Sequence, residues 1–384
     1  MSVRATLSSI GRAFRDEWRH MTRYTPGARP WHMAFAAALA TGLPLIIGAA
    51  MGQLSAGLFA SLGGLCFVYM PNTELYHRMA VVMVCAFGMT ACYTIGVLLH
   101  AAPVWMIPSL ALMTAVVTMI QRFYAVGPPG SLFFVMPATI GAFTMPIGAP
   151  IFEAVGVFSA GTTLAVTVAF FYSIYVIPRS TVQPTPTSVR NFDFVLVEPV
   201  FIGLTAASSL LIAHLLELPR PYWVPVSCIA VMQAATLRDV WRKQISRIAG
   251  TIIGVLGALL LVLVPMSDWT AALTILTLLF VIEFLIPRNY ALAVIFITPM
   301  TILLAETVTA QSAGGSTMVW ARLLDTVIGS LVGFLGAALM HHPTSRGALV
   351  TLMHRLVPES AVNEKAPSLA AESSAEAWVQ EKDA

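Results

Sequence analysis

Apolar residues run through this chain in stretches as long as a bilayer is thick, separated by short polar interruptions. In the first half the stretches fall at about 31–51, 53–70, 79–99, 103–120, 130–149 and 151–177. In the second half they fall at about 194–216, 221–236, 247–265, 269–286, 289–306 and 318–340. A chain in lipid must satisfy its backbone polar groups internally, so each stretch is expected to be a helix. The pattern predicts an all-α, polytopic membrane protein of about twelve transmembrane helices. The first two stretches almost touch, and the fifth and sixth part only around Pro146 to Pro150, so one broken or re-entrant segment fits within the count.

Composition agrees. The chain is 58% hydrophobic and 10% charged with mean hydropathy +0.81, against roughly 25% charged residues in a soluble domain. The net charge of +3 says less than its distribution. With the amino terminus inside the cell, only Arg220 and Arg322 of the 21 basic residues fall outside the cytoplasmic segments. That asymmetry places both termini in the cytoplasm. The basic arm at 1–29 reads as a topology signal rather than a nucleic-acid-binding segment, and it is too long and polar for a cleaved signal peptide. Cys66, Cys85, Cys92 and Cys228 lie in apolar runs without metal-ligand spacing and read as core residues.

The second half repeats itself. Residues 247–254 read R-I-A-G-T-I-I-G and residues 322–329 read R-L-L-D-T-V-I-G. The stretches before them open alike, P-R-P-Y-W-V from Pro219 and P-R-N-Y-A-L from Pro287. Two units of three spans follow, and because three is odd they must be inverted relative to each other. The first half keeps traces: F-S-A-G-T-T-L-A at 158–165 fits the motif with Phe158 at the arginine position, and Arg78 opens the third stretch. The layout is two related six-helix halves with three-helix inverted repeats, an arrangement typical of alternating-access transporters. The expected segments are the arm at 1–29, a first half at 30–177, a Pro/Ser/Thr-rich linker at 178–192, a second half at 193–340 and a polar tail at 341–384 with a short helix near Leu349 to Leu356.

These motifs resemble the fusaric acid resistance protein-like family, which includes bacterial aromatic carboxylic acid exporters. The resemblance covers most of residues 30–340 in layout, with the motifs concentrated in the second half. It implies an inner-membrane exporter of aromatic or related organic acids, working beside a periplasmic adaptor protein. Many members carry a large soluble region between the halves, where this chain has about fifteen residues. Plant malate channels are similar in their arrangement of six spans.

Arg247 and Arg322 are the leading anion-binding candidates, because a guanidinium matches a carboxylate in two contacts and stays charged. The plainer alternative is that each snorkels or holds helices together. Asp325 lies one helical turn after Arg322, where the sister motif has Gly250. It fits either a proton-coupling group or a permanent ion pair with Arg322. Arg220, Tyr222, Arg288 and Tyr290 stand at helix starts, where free N–H groups suit carboxylates and the rings could stack on an aromatic substrate. An interfacial aromatic belt explains them equally well. Glu153, Glu198, Glu283 and Glu306 are possible relays outside any repeated motif. Gly250/Gly254 and Gly329/Gly333 have the spacing of close helix packing. Gly127 to Gly130 lacks the lysine of a phosphate cradle, and the chain contains no zincin, hydrolase or nucleotide motif. The chain is read as no enzyme, with no cofactor and no metal. Its partners are small organic anions and the lipid bilayer, and a homodimer fits as well as a monomer. The function expected is proton-coupled export of organic, chiefly aromatic, carboxylates. A passive organic-anion channel is the alternative, and a membrane scaffold a third.

Overall fold

The computed structural model describes residues 29–144, 150–179, 183–186, 192–234, 236–264, 266–308 and 315–356. The basic arm before residue 29, the break at Pro146, most of the linker and the tail after Leu356 lie outside the described residues, as does the side chain of Glu306. Every regular element among the described residues is a helix. The first half holds α1 (Trp31–Ala50), α2 (Leu54–Gly64), α3 (Leu75–His100), α4 (Met106–Phe123), α5 (Leu132–Thr144) and α6 (Ile151–Val176). The second holds α7 (Glu198–Leu215), α8 (Trp223–Met232), α9 (Leu237–Val262), α10 (Asp268–Leu285), α11 (Tyr290–Val308) and α12 (Gly315–His341), and α13 (Pro343–Leu356) follows.

Each apolar stretch of the sequence coincides with a helix, but the helices are not alike. Among the described residues eight are long and apolar enough to cross a membrane, namely α1, α3, α4, α6, α7, α9, α10 and α12. The other four, α2, α5, α8 and α11, carry shorter apolar stretches of 10–17 residues. After Gly63 and Gly64, α2 tightens into a 3-10 turn at Leu65–Tyr69. Pro137 and Pro299 lie inside α5 and α11, as Pro44 does inside α1, and Pro225 sits in the first turn of α8, where its missing N–H costs no helix bond.

Two helix starts differ from the sequence pattern. α9 begins at Leu237, ten residues before the apolar stretch, and Thr236 caps it by accepting the Asp239 N–H at 3.2 Å. Arg238, Asp239, Arg242 and Lys243 gave those turns the polarity of a loop, and Arg247 therefore lies inside its helix rather than at its start. Arg78 sits in the first turn of α3, 1% exposed, and folds back on Thr73 O at 2.9 Å and Asn72 Oδ1 at 2.7 Å.

Small residues set the packing. In the second half α9 lies on α11 and α12 lies on α8. A Cβ added at Gly254 would fall 2.6 Å from Ile295 O, and one at Gly333 would fall 2.6 Å from Cys228 O. In the first half α3 lies on α5 and α6 lies on α2, with Gly96 against Ala138 O and Gly161 against Ala60 O. Such approach leaves room for hydrogen only. Two seams join the halves, α1 with α10 and α4 with α7. The first is filled by residues such as Leu45, Ile275 and Leu279, and the second by Leu110, Ala206 and Leu210. Outward faces such as Leu331, Leu335 and Leu339 of α12 are exposed and apolar, as a lipid-facing stripe is. The four cysteines are buried and free.

Candidate functional site

The two motif arginines converge on one face of α8. Trp223 and Ser227 are one turn apart on that helix. Arg322, from α12, lays its guanidinium carbon 4.2 Å from the centre of the Trp223 ring. Its Nε donates to Thr301 Oγ1 of α11 at 3.3 Å. Arg247, from α9, donates through Nη2 to Ser227 Oγ at 3.2 Å and through Nη1 to Tyr290 Oη at 3.3 Å. Tyr290 is the first residue of α11, and Trp223 the first of α8. Each arginine therefore meets the amino-terminal residue of one short helix and a hydroxyl of the other.

The glycines make this convergence possible. Gly329, two turns after Arg322, passes Val224 and Ser227 so closely that a Cβ there would fall 2.3 Å from Val224 O. Gly250, three residues after Arg247, does the same against Val294.

The site is buried and its charges are unpaired. Arg247 and Arg322 are each 6% exposed and Asp325 is 0% exposed. Arg247 Nε, Arg322 Nη1 and both carboxylate oxygens of Asp325 have no hydrogen-bond partner. The permanent Arg322–Asp325 ion pair, one of the two readings of Asp325, does not form among the described contacts. Asp325 instead lies within electrostatic reach of both Arg322 and Arg220. A buried arginine lacking a carboxylate is costly unless its environment supplies acceptors. Three hydroxyls and a tryptophan face are partial compensation, and each hydroxyl is neutral.

The remaining candidates divide. Tyr290 belongs to the cluster through Arg247. Tyr222 is 6% exposed beside Trp223, and its hydroxyl accepts from Arg220 Nη1 at 3.0 Å. Arg288 is engaged elsewhere: it donates to Phe284 O and Arg29 O, both at 2.6 Å, and lies 3.7 Å over the Phe284 ring. Asn289, its neighbour, caps α11 by accepting the Leu292 N–H at 2.9 Å. Of the acids outside the motif, Glu198 forms an ion pair with Arg122. Ser227 and Thr301 were not singled out by sequence, and Trp223 was noted only as a ring that could stack on an aromatic substrate. Ser and Thr are common in such helices, where most bond back to their own turn, and only the three-dimensional crossing marks these two. The chemistry of the cluster suits an anion: two guanidinium groups lie against the first residues of two helices, beside aromatic rings.

Residues 206–336 match the family described as fusaric acid resistance protein-like. That stretch contains both arginines, Asp325 and all of α8 to α11. The chain is also similar to an uncharacterized membrane protein, YvaC, of Bacillus subtilis (strain 168), at 33% identity over 173 residues. The match takes in 44% of this chain and 27% of the relative, so it spans about a quarter of that protein's length. No solved structure matches. The resemblance of the motifs is thus borne out over the second half.

Proposed function

We propose that this protein is a secondary transporter that exports organic, chiefly aromatic, carboxylates across the bacterial inner membrane in exchange for protons. One observation carries the reading: two buried arginines and a buried aspartate, unpaired with one another, converge where α9 and α12 cross α8. Structural charges are normally paired, whereas charges kept apart inside a membrane protein mark a binding or relay site. Arg247 and Arg322 bind the carboxylate, and Trp223, Tyr222 and Tyr290 offer rings against which an aromatic body can lie. Asp325 takes up and gives back the proton, so that proton and substrate drive each other's passage.

We read the architecture as two six-helix halves, 30–177 and 193–340, each built from two inverted three-helix units, with both termini in the cytoplasm. The packing supports this. The contacts α3–α5, α2–α6 and α3–α6 of the first half recur as α9–α11, α8–α12 and α9–α12 of the second. The cross-half contacts α1–α10 and α4–α7 exchange equivalent helices. A repeat of that kind moves by exchanging the conformations of its units.

The test is uptake of labelled 4-hydroxybenzoate into inverted membrane vesicles with and without an imposed proton gradient. Gradient-driven accumulation that depends on Arg322 is the expected result. Equilibration indifferent to the gradient would replace the pump with an organic-anion channel.

A further inference from the structure

Three ion pairs that link separate helical elements lie at one end of the molecule, where α4 ends and α7 begins. Arg122, in the last turn of α4, crosses the α4–α7 seam. It donates to Phe194 O at 2.9 Å and to Glu198, and its guanidinium carbon lies 4.3 Å from the Phe194 ring centre. Arg346 of α13 adds contacts to Asp193 at 3.0 Å and Glu198 at 3.9 Å. Arg288, just past the end of α10, crosses the other seam in the same manner. It donates to Arg29 O, two residues before α1 begins, and lies on the Phe284 ring.

The two arginines are counterparts. Each leaves the end of one seam helix and reaches a backbone carbonyl at the start of the helix across the seam, although Arg122 rests on a ring across its seam and Arg288 on Phe284 of its own helix. The opposite ends of the seams are of another kind. Val104, Trp105, Leu215 and Leu216 are exposed at the end of one, and Met51 and Trp269 at the end of the other. Polar contacts at a water-facing end exchange for water at small net cost, which suits a latch that opens and closes repeatedly.

We propose that Arg122 and Arg288 are the gate residues of the cytoplasmic face, paired clasps that hold both seams shut and release together when substrate enters. The proposal rests on the alternating-access reading above. It assigns Arg288 to gating and Arg346 to a local tether of α13. Because the two halves move as bodies, loosening one clasp loosens the other.

The experiment is hydrogen–deuterium exchange of the purified full chain in lipid nanodiscs without substrate. Arg122→Gln should raise exchange roughly tenfold at the start of α7, the scale of one lost charge-assisted contact, and also at 29–34 and 286–290 across the molecule. Arg346→Gln should act only on α13 and the start of α7. If Arg122→Gln changes only its own seam, as Arg346→Gln does, or changes neither, the gate assignment is overturned. Should Arg122→Gln not give a monodisperse protein, Arg288→Gln carries the reciprocal test, with the distant rise expected at 193–198. The measurement needs no flux, so absent transport in vesicles would leave it readable, and its failure would leave the transport reading standing.

Discussion

The two halves of this protein use the same helix crossing for opposite chemistry. In the first half, α6 meets α3 through Phe158 and Tyr93, whose rings stack 4.4 Å apart at 12° and are fully buried. In the second half, the motif position of Phe158 carries Arg322, and α9 contributes Arg247. Both crossings rest on glycines pressed against a neighbouring carbonyl. The first shows that the crossing needs no charge: an aromatic pair fills it and adds about 1 kcal/mol beyond its burial. Two guanidinium groups and a carboxylate in the same setting carry desolvation costs of several kcal/mol each. On the transport reading, the second crossing holds its charges for binding rather than for stability.

Arg322→Gln breaks the comparison most sharply. It should lower gradient-driven export by about a hundredfold, equivalent to ~2.7 kcal/mol of lost charge-assisted contact with the carboxylate. The variant should melt no lower than the parent, because a buried arginine without a carboxylate partner is itself a cost. Vesicle uptake and a thermal melt in detergent read the two halves of this claim. Undiminished export would remove Arg322 from the mechanism, and a large fall in melting temperature would make it a structural residue.

Gly333→Leu tests the shared scaffold beneath the different chemistry. The added side chain meets Cys228 backbone, which cannot yield without parting α12 from α8, and overpacking of that kind costs about 1–3 kcal/mol or more. Gly161→Leu, against Ala60 O in the first half, should lower the melting temperature by a similar amount. If only one of the two destabilises, the crossings are not equivalent.

Asp325→Asn sharpens the distinction between pump and channel. It keeps the volume and removes the titrating group, so downhill flux should persist while accumulation driven by a proton gradient falls roughly tenfold. With Asp325 able to ionise, accumulation rises with the imposed gradient. With Asn it becomes flat across the same gradients, read by labelled substrate at several external pH values. A variant that still follows the gradient moves the proton elsewhere, and Glu283 on α10 is then the next acid to replace.

Much of this was legible in the sequence and some could not be. The apolar stretches located the helices, because burial in lipid demands continuous hydrophobicity. The duplicated arginine motif pointed to Arg247 and Arg322, which the fold brings to the same helix, α8. Helix length was harder: the stretch at 221–236 reads as one span, whereas α8 covers Trp223–Met232 alone, and the stretch at 53–70 divides into α2 and a 3-10 turn. The first turns of α9 read as loop because Arg238 to Lys243 are charged. Arg288 looked identical to Arg220 in its motif, and only the fold shows that its guanidinium turns to the end of α10 while Arg220 stays beside Tyr222. Ser227 and Thr301 carried no signal, since a hydroxyl gains meaning only from the arginine that a distant helix brings to it.

The smallest effect comes from the sealed crossing. Phe158→Leu keeps the site apolar and close to its volume but ends the stack on Tyr93. Stability should fall by about 1 kcal/mol from the lost ring contact, with a further fraction from imperfect filling. Gradient-driven export should stay within about twofold of the parent, because the first half contributes packing rather than ligand contacts. A melt and a vesicle assay on the same preparation separate these. Were Phe158→Leu to abolish export while melting normally, the first crossing would be part of the transport path, and the asymmetry between the halves would describe two sites of different chemistry instead of one site and its scaffold.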